Sequence, residues 1–349
     1  MISFIFLSKE YIKNFIIVTL ALTLSATLID LVSHINSLNG FNQKILYAFY
    51  IFEDILGLIY PVSLILGAIV TFYKLIAKNY LLALASFSYT KKRLVKPFLI
   101  ISIAVYFIIL MLDFTPFSYA HSNAQNLLSK NSQEFVKDSF FKYNNSFVYA
   151  KKLDVINKEL IDVKIYIIRD LKVLKIIEFN RAKFKDNFWV AKSANVKIFK
   201  YSGNKPLGYD TKVVKDLKVL RGYYPKVVKL LYEGKRVSLK DGFKALKLLR
   251  EQHIDDSKIK SALYAKILTP LLAPLLIVIF FYFAPLHKRV FSLGRYLFFT
   301  IGATILSWII LFSLNILSQS SSINPDFILP VAITILFLYT LYIWIKKLA

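Results

Sequence analysis

The chain has no cysteine in its 349 residues, which removes disulfides, thiolate nucleophiles and Cys-ligated metals together. Histidine is scarce: His34, His121, His253 and His287 stand far apart, with no His-Glu-x-x-His spacing and no paired-carboxylate motif. There is no Gly-x-Ser-x-Gly elbow and no Gly-x-x-x-x-Gly-Lys-Ser/Thr loop, so the chain carries no P-loop ATP site of its own. Acids are few, 21 against 46 Lys and Arg, for a net charge of +25. No catalytic residue, resident metal or cofactor is expected.

What is abundant is apolar. The hydrophobic share is 56%, above the roughly 45–50% of soluble domains, and it puts the chain in the membrane class. Long apolar runs fall at about 14–33, 47–74, 94–112, 263–285, 295–317 and 327–345, each near the roughly 20 residues of a bilayer-spanning helix. The first run has no small-residue processing site and a second long run follows it, so it reads as a retained helix and not a signal peptide. The predicted fold is six transmembrane helices, three in 1–112 and three in 261–349, around an inserted domain at 113–260.

Flanking charge sets the direction. Lys74, Lys78, Lys91, Lys92, Arg93 and Lys96 sit between the second and third runs, Lys288, Arg289 and Arg295 between the fourth and fifth, and Lys346 and Lys347 after the sixth. The opposite connections hold Lys44 and Asp326. The positive-inside rule then predicts both termini cytoplasmic and 113–260 on the outer side, which in a bacterium is the periplasm. That domain is basic, but long translocated domains do not set topology, and a basic surface facing away from the cytoplasm argues against a nucleic-acid partner. Asp30, Glu53, Asp54, Asp113 and Lys266 lie near outer ends of spans, each a functional candidate or an interfacial group. Pro61, Pro270, Pro274 and Pro330 are candidate kinks.

From Ser146 the runs FVYAKKL, DVKIYIIRD, KVLKIIEF, NFWVAKSANVKIF and TKVVKDLKVL are broken by YNNS and YSGNKPLG. Short strands at this spacing predict an all-β sandwich or jelly roll, with Trp189, Phe147, Tyr149, Tyr166 and Phe188 in its core or lining. The segment from Ser238 is helical in period, with Asp241 three residues on as a cap partner. It reads as the return to span four or as an interfacial amphipathic helix.

The stretch KNYLLALASFSYTKKRLVKP, 78–97, is too short to cross a bilayer. Leu81, Leu82, Leu84 and Ala85 suit either a helix pressed into a soluble partner's groove or an interfacial helix held against anionic lipid by Lys91, Lys92 and Arg93.

Taken in order, FKYNNSFVYAKKL, LKDGFKALKLLREQ leading into AKILTPLLAPLL, FAPLHKRVFSLGR and NPDFILPVAI resemble the LptF/LptG family of lipopolysaccharide export permeases over nearly the whole chain, and FAPLHK is similar to the LptG branch. The resemblance implies the transmembrane subunit of an ABC transporter. It would pair with a second LptF/LptG-type subunit on an LptB-like ATPase dimer, extract lipopolysaccharide from the inner membrane, and pass it through the periplasmic jelly roll to LptC/LptA-like proteins on the way to the outer membrane. It makes 78–90 the coupling helix, with Tyr80, Leu81, Leu82, Leu84, Ala85 and Ser88 at the ATPase; relatives commonly carry an acid where Tyr80 stands and a glycine where Ser88 stands. Relatives also place bases near the outer end of span one and just after span three. Here Asp30 and His34, then Asn123 and Asn126, occupy those regions, leaving Lys44, Lys130 and Lys266 as lipid-phosphate candidates or interfacial lysines. The rival reading is a non-transport membrane scaffold whose β domain docks periplasmic partners. Depletion separates the two, by whether lipopolysaccharide accumulates at the inner membrane.

Overall fold

The computed structural model describes residues 2–128, 135–143, 146–155, 157–169, 172–202, 205–225, 238–251, 256–285, 293–319 and 324–348. The chain separates into two compact units, Met1–Leu128 with Leu263–Ala349, and Ser129–Ala262.

The first unit is helical. In chain order it holds α1 (Ile2–His34), α2 (Gly40–Ala77), the short α3 (Tyr80–Ser86), α4 (Lys91–Leu112) and α5 (Ala120–Leu128). After the β strands come α6 (Leu239–Glu251) in the second unit, α7 (Ser257–Leu268), whose residues up to Ala262 belong to the second unit and the rest to the first, and then α8 (Leu272–Phe283), α9 (Leu293–Gln319) and α10 (Pro325–Tyr342). Six spans are long and apolar enough to cross a bilayer, α7 and α8 together making the fourth. Five of the apolar runs lie within one of them and the fourth passes the end of its span, Phe283, by two residues, while α1 and α2 extend past their runs because Lys, Glu, Gln and Tyr at the flanks continue a helix without adding hydropathy.

α2 and α8 form the centre of this unit. Leu64, Ile65 and Phe72 of α2 are buried with Ile277, Val278 and Phe281 of α8 and Phe98 of α4. The Phe72 ring sits 4.8 Å from Phe98 and 5.2 Å from Phe281. Gly67 lets α1 approach: a Cβ there would stand 2.8 Å from the Phe15 Cα. Pro270 starts a 3₁₀ turn, Thr269–Leu271, that separates α7 from α8, while Pro61 and Pro330 lie inside α2 and α10.

Charge is sorted along the bundle. At one end Lys74 donates to Asn14 at 2.6 Å, Lys91 to the Tyr282 carbonyl at 3.2 Å, and the Lys92 amide to the Leu348 carbonyl at 3.1 Å. The start of α1, the end of α2, the start of α4 and the ends of α8 and α10 therefore share one end. The acids Asp30, Asp54 and Asp113 belong to the other, where Tyr47 donates to Asp30 at 2.5 Å.

The second unit is one antiparallel sheet in sequential order: β1 (Phe135–Tyr143), β2 (Ser146–Asp154), β3 (Glu159–Arg169), β4 (Lys172–Lys185), β5 (Phe188–Ser202) and β6 (Lys205–Val219). β1 precedes the runs the sequence displays. It escapes a search for alternation because Asp138 interrupts it. Asp138, Asp162 and Asp216 have φ of 49, 50 and 52°, a left-handed conformation that Asp tolerates better than most residues. At this level the partner ladder skips residues without changing register. Every strand from β2 to β4 switches inward parity there: Val148 and Ala150 give way to Leu153, Val163 and Ile165 to Leu160, Ile177 and Phe179 to Ala182. A line of left-handed residues thus crosses the sheet at the level where its inward parity changes.

Trp189, fully buried in that interior, donates its indole N–H to the Tyr223 carbonyl at 2.6 Å. Ser238 caps α6, its Oγ accepting from the Asp241 amide at 3.1 Å. Leu248 of α6 joins the sheet core.

Candidate functional site

Three regions carry the residues singled out by sequence. The first is α3. Asn79, at φ 58°, turns the chain out of α2, and seven residues later α3 stops in a Schellman motif: the Ser88 amide donates to the Ala85 carbonyl at 3.0 Å and the Tyr89 amide to the Leu84 carbonyl at 3.4 Å. Ser88 holds the left-handed position at φ 60°, a conformation that glycine adopts most readily. Thr90 then caps α4, its Oγ1 accepting from the Arg93 amide at 3.4 Å.

The helix divides the six sequence candidates. Leu81 is 1% exposed and belongs to the helical core, with Leu84 and Ala85 half-buried on the same side. Tyr80, Leu82 and Ser88 face outward. Outward with them is Phe87, 75% exposed, which the sequence reading passed over. The signal was available: positions 80, 83 and 87 share a helix face by period, whereas the reading followed the denser leucines. Leu81 anchors the helix, with Tyr80 and Phe87 exposed on one flank of it and Leu82 on the other.

The second region is the acid-rich end of the bundle. Tyr47 bridges Asp30 and His34, with His34 Nδ1 3.2 Å from its hydroxyl and 3.4 Å from Asp30 Oδ1. His121 Nδ1 lies 3.2 Å from Asp54 Oδ2 but out of hydrogen-bond alignment. Lys266 donates to Asp113 at 2.8 Å. Lys44 is half-buried in the second turn of α2. Lys130 lies outside the described residues, as do His253 and His287. Among the described residues, no group of three or more His, Cys, Asp or Glu could hold a metal.

The third is the sheet interior. A groove of about 240 Å³ opens between Tyr143, Ile165, Ile167, Ile177 and Val219. Lys218 and Arg221 stand at its edge, both over the Phe188 ring, at 6.0 and 5.8 Å. Phe188 was read as core or lining. The structure places it as a cation–π platform that holds two charges beside an apolar slot. The volume falls below the ~300–1,000 Å³ of ordinary ligand pockets, so the slot as it stands takes one apolar chain at most. On the outer face Lys197 donates to Glu178 at 2.9 Å with Lys164 3.6 Å away, which holds the Glu178 carboxyl below the usual carboxylate range.

The family described as "Lipopolysaccharide export system permease LptF/LptG" matches residues 6–347. No curated protein matches the chain.

Proposed function

The chain belongs to the LptF/LptG family of lipopolysaccharide export permeases, and from that premise we propose that it is the membrane subunit of an ABC transporter driven through α3 by a separate cytoplasmic ATPase. Extraction of an amphiphile from a bilayer costs about 0.8 kcal/mol per CH₂ withdrawn. A chain with no P-loop must receive that energy from a partner.

The observation that carries the reading is the build of α3. A seven-residue helix with Leu81 locked into the bundle and Tyr80, Leu82 and Phe87 turned outward transmits force, because its anchor cannot slip when its outer face is pushed. Both termini and α3 are cytoplasmic in this proposal and the β unit periplasmic, in keeping with the bases gathered at one end of the bundle. The sheet's apolar slot, with Lys218 and Arg221 beside it, suits an acyl chain attached to a phosphorylated head. Lys44 and Lys266 remain the described candidates for phosphate contact in the membrane unit, Lys266 after parting from Asp113. A second LptF/LptG-type subunit completes the membrane half, and LptC/LptA-like proteins receive the lipid.

Purification in mild detergent with mass spectrometry of the co-eluting proteins tests this. A soluble ATPase and a second six-span chain are expected; a chain that purifies alone and still exports at the normal rate overturns the proposal.

A further inference from the structure

Resting on the reading of α3 as the ATPase contact, we propose that the first three turns of α1, Ser3–Lys13, form a second wall of the same docking surface, so that the ATPase grips two elements of this chain.

α1 has 33 residues, about 50 Å at 1.5 Å per residue, against a hydrocarbon core of about 30 Å. Its apolar run begins only after Lys13, so the first three turns project beyond the hydrocarbon. A helix end in water ordinarily exposes polar side chains. This one exposes Phe4, Ile5, Phe6 and Ile12, at 41, 56, 37 and 41%. Their direction is imposed by packing: Leu7 and Tyr11 on the other side are 1% and 0% exposed within the helical core, and Tyr11 donates its hydroxyl to the Leu64 carbonyl at 3.1 Å.

The exposed face holds a shallow groove of about 540 Å³ lined by Phe4, Ile5, Ser8, Lys9, Ile12 and Lys13. The buried Ser8 Oγ there has no hydrogen-bond partner. The surface is continuous with α3, because the Phe6 ring meets the Tyr80 ring edge-on at 5.7 Å. Any protein seated on Tyr80 therefore touches Phe6. Lys9, Lys13 and Lys78 surround the joint, Lys78 lying over the Tyr80 ring at 6.0 Å. The partner face is accordingly apolar with an acidic rim. A lipid is the poorer occupant, since Lys9 and Lys13 separate Phe4 and Ile5 from the apolar run.

The test uses the assembled complex. A photocrosslinking residue at Ile5 is expected to label the ATPase subunit, and labelling of lipid alone or of the second permease alone overturns the proposal. In parallel, the pair Phe4→Ser and Ile5→Asp is expected to lower co-purified ATPase about tenfold, about 1.4 kcal/mol, with normal membrane levels. Phe87→Ala separates the two claims. If it releases the ATPase while Ile5 neither crosslinks nor matters, α3 is the contact and the second wall is wrong. If Phe87→Ala and the α1 pair both leave the ATPase bound and Ile5 does not label it, the underlying reading fails as well. Should the α1 pair not insert, the crosslink alone decides.

Discussion

Lys266 and Asp113 meet at 2.8 Å, joining the helix that opens the second set of spans to the end of the third span. The Asp113 side chain is 12% exposed and that of Lys266 29%. Lys266→Ala leaves a carboxylate with its main counter-charge gone in a poorly solvated place. The expected loss is about 2–4 kcal/mol, somewhat under the ~3–5 of a fully buried pair. Adding Asp113→Asn should recover most of it, read as thermal midpoints in one detergent. Asp113→Asn alone removes the carboxylate that neutralises Lys266. Tighter binding of a phosphorylated lipid by that variant is expected if Lys266 contacts phosphate, and unchanged binding removes it from the candidates.

On α3 the two faces should separate. Leu82→Asp or Phe87→Ala is expected to leave the protein inserted and folded while ATP hydrolysis no longer drives transport. Leu81→Asp puts a carboxylate where exposure is 1% and should lower the amount of folded protein instead. ATPase and export assays beside membrane levels distinguish the outcomes, and loss of folding in all three variants would return α3 to a structural role.

Ser88→Gly is expected to stabilise the protein. A left-handed conformation costs an L-residue about 1–2 kcal/mol, and glycine's extra freedom in the unfolded chain takes back about 0.5–1. The net gain is therefore about 0.5–1 kcal/mol at the φ of 60°. A thermal midpoint that rises for Ser88→Gly and falls for Ser88→Val checks it.

Gly67 and Gly294 should respond oppositely to alanine. At Gly67 the new Cβ would lie 2.8 Å from backbone of α1, which cannot rotate aside, and overpacking of this kind costs about 1–3 kcal/mol. At Gly294, in the first turn of α9, no described atom lies within 4 Å, so alanine should be neutral or gain about 0.5 kcal/mol of helix propensity. Equal effects at both positions would show that α1 and α2 are not in close contact.

Along the line of left-handed residues in the sheet, Asp162→Gly should be tolerated and Asp162→Val should cost about 1–2 kcal/mol, because a β-branched residue resists the φ of 50°. The paired variants, compared by thermal unfolding of the full chain, test whether the left-handed residue contributes to the sheet's stability.

The sequence alone determined the six spans, their grouping as three and three, most of the strands and the family. A run of some 20 apolar residues satisfies its own backbone hydrogen bonds and its own solvation, so its helix is a local property. Tertiary structure decided which side of each element does the work. Leu81 and Leu82 are neighbours of the same type, yet one is a core anchor and the other an outward contact, because helix rotation is set by what the helix packs against. Inward and outward residues of β2, β3 and β4 change places part-way along each strand, which alternation cannot anticipate. Lys266 finds Asp113 across about 150 residues of chain, and Phe6 finds Tyr80 across two long helices. Such pairings belong to the packed bundle, since they exist only once distant segments have been brought to one place.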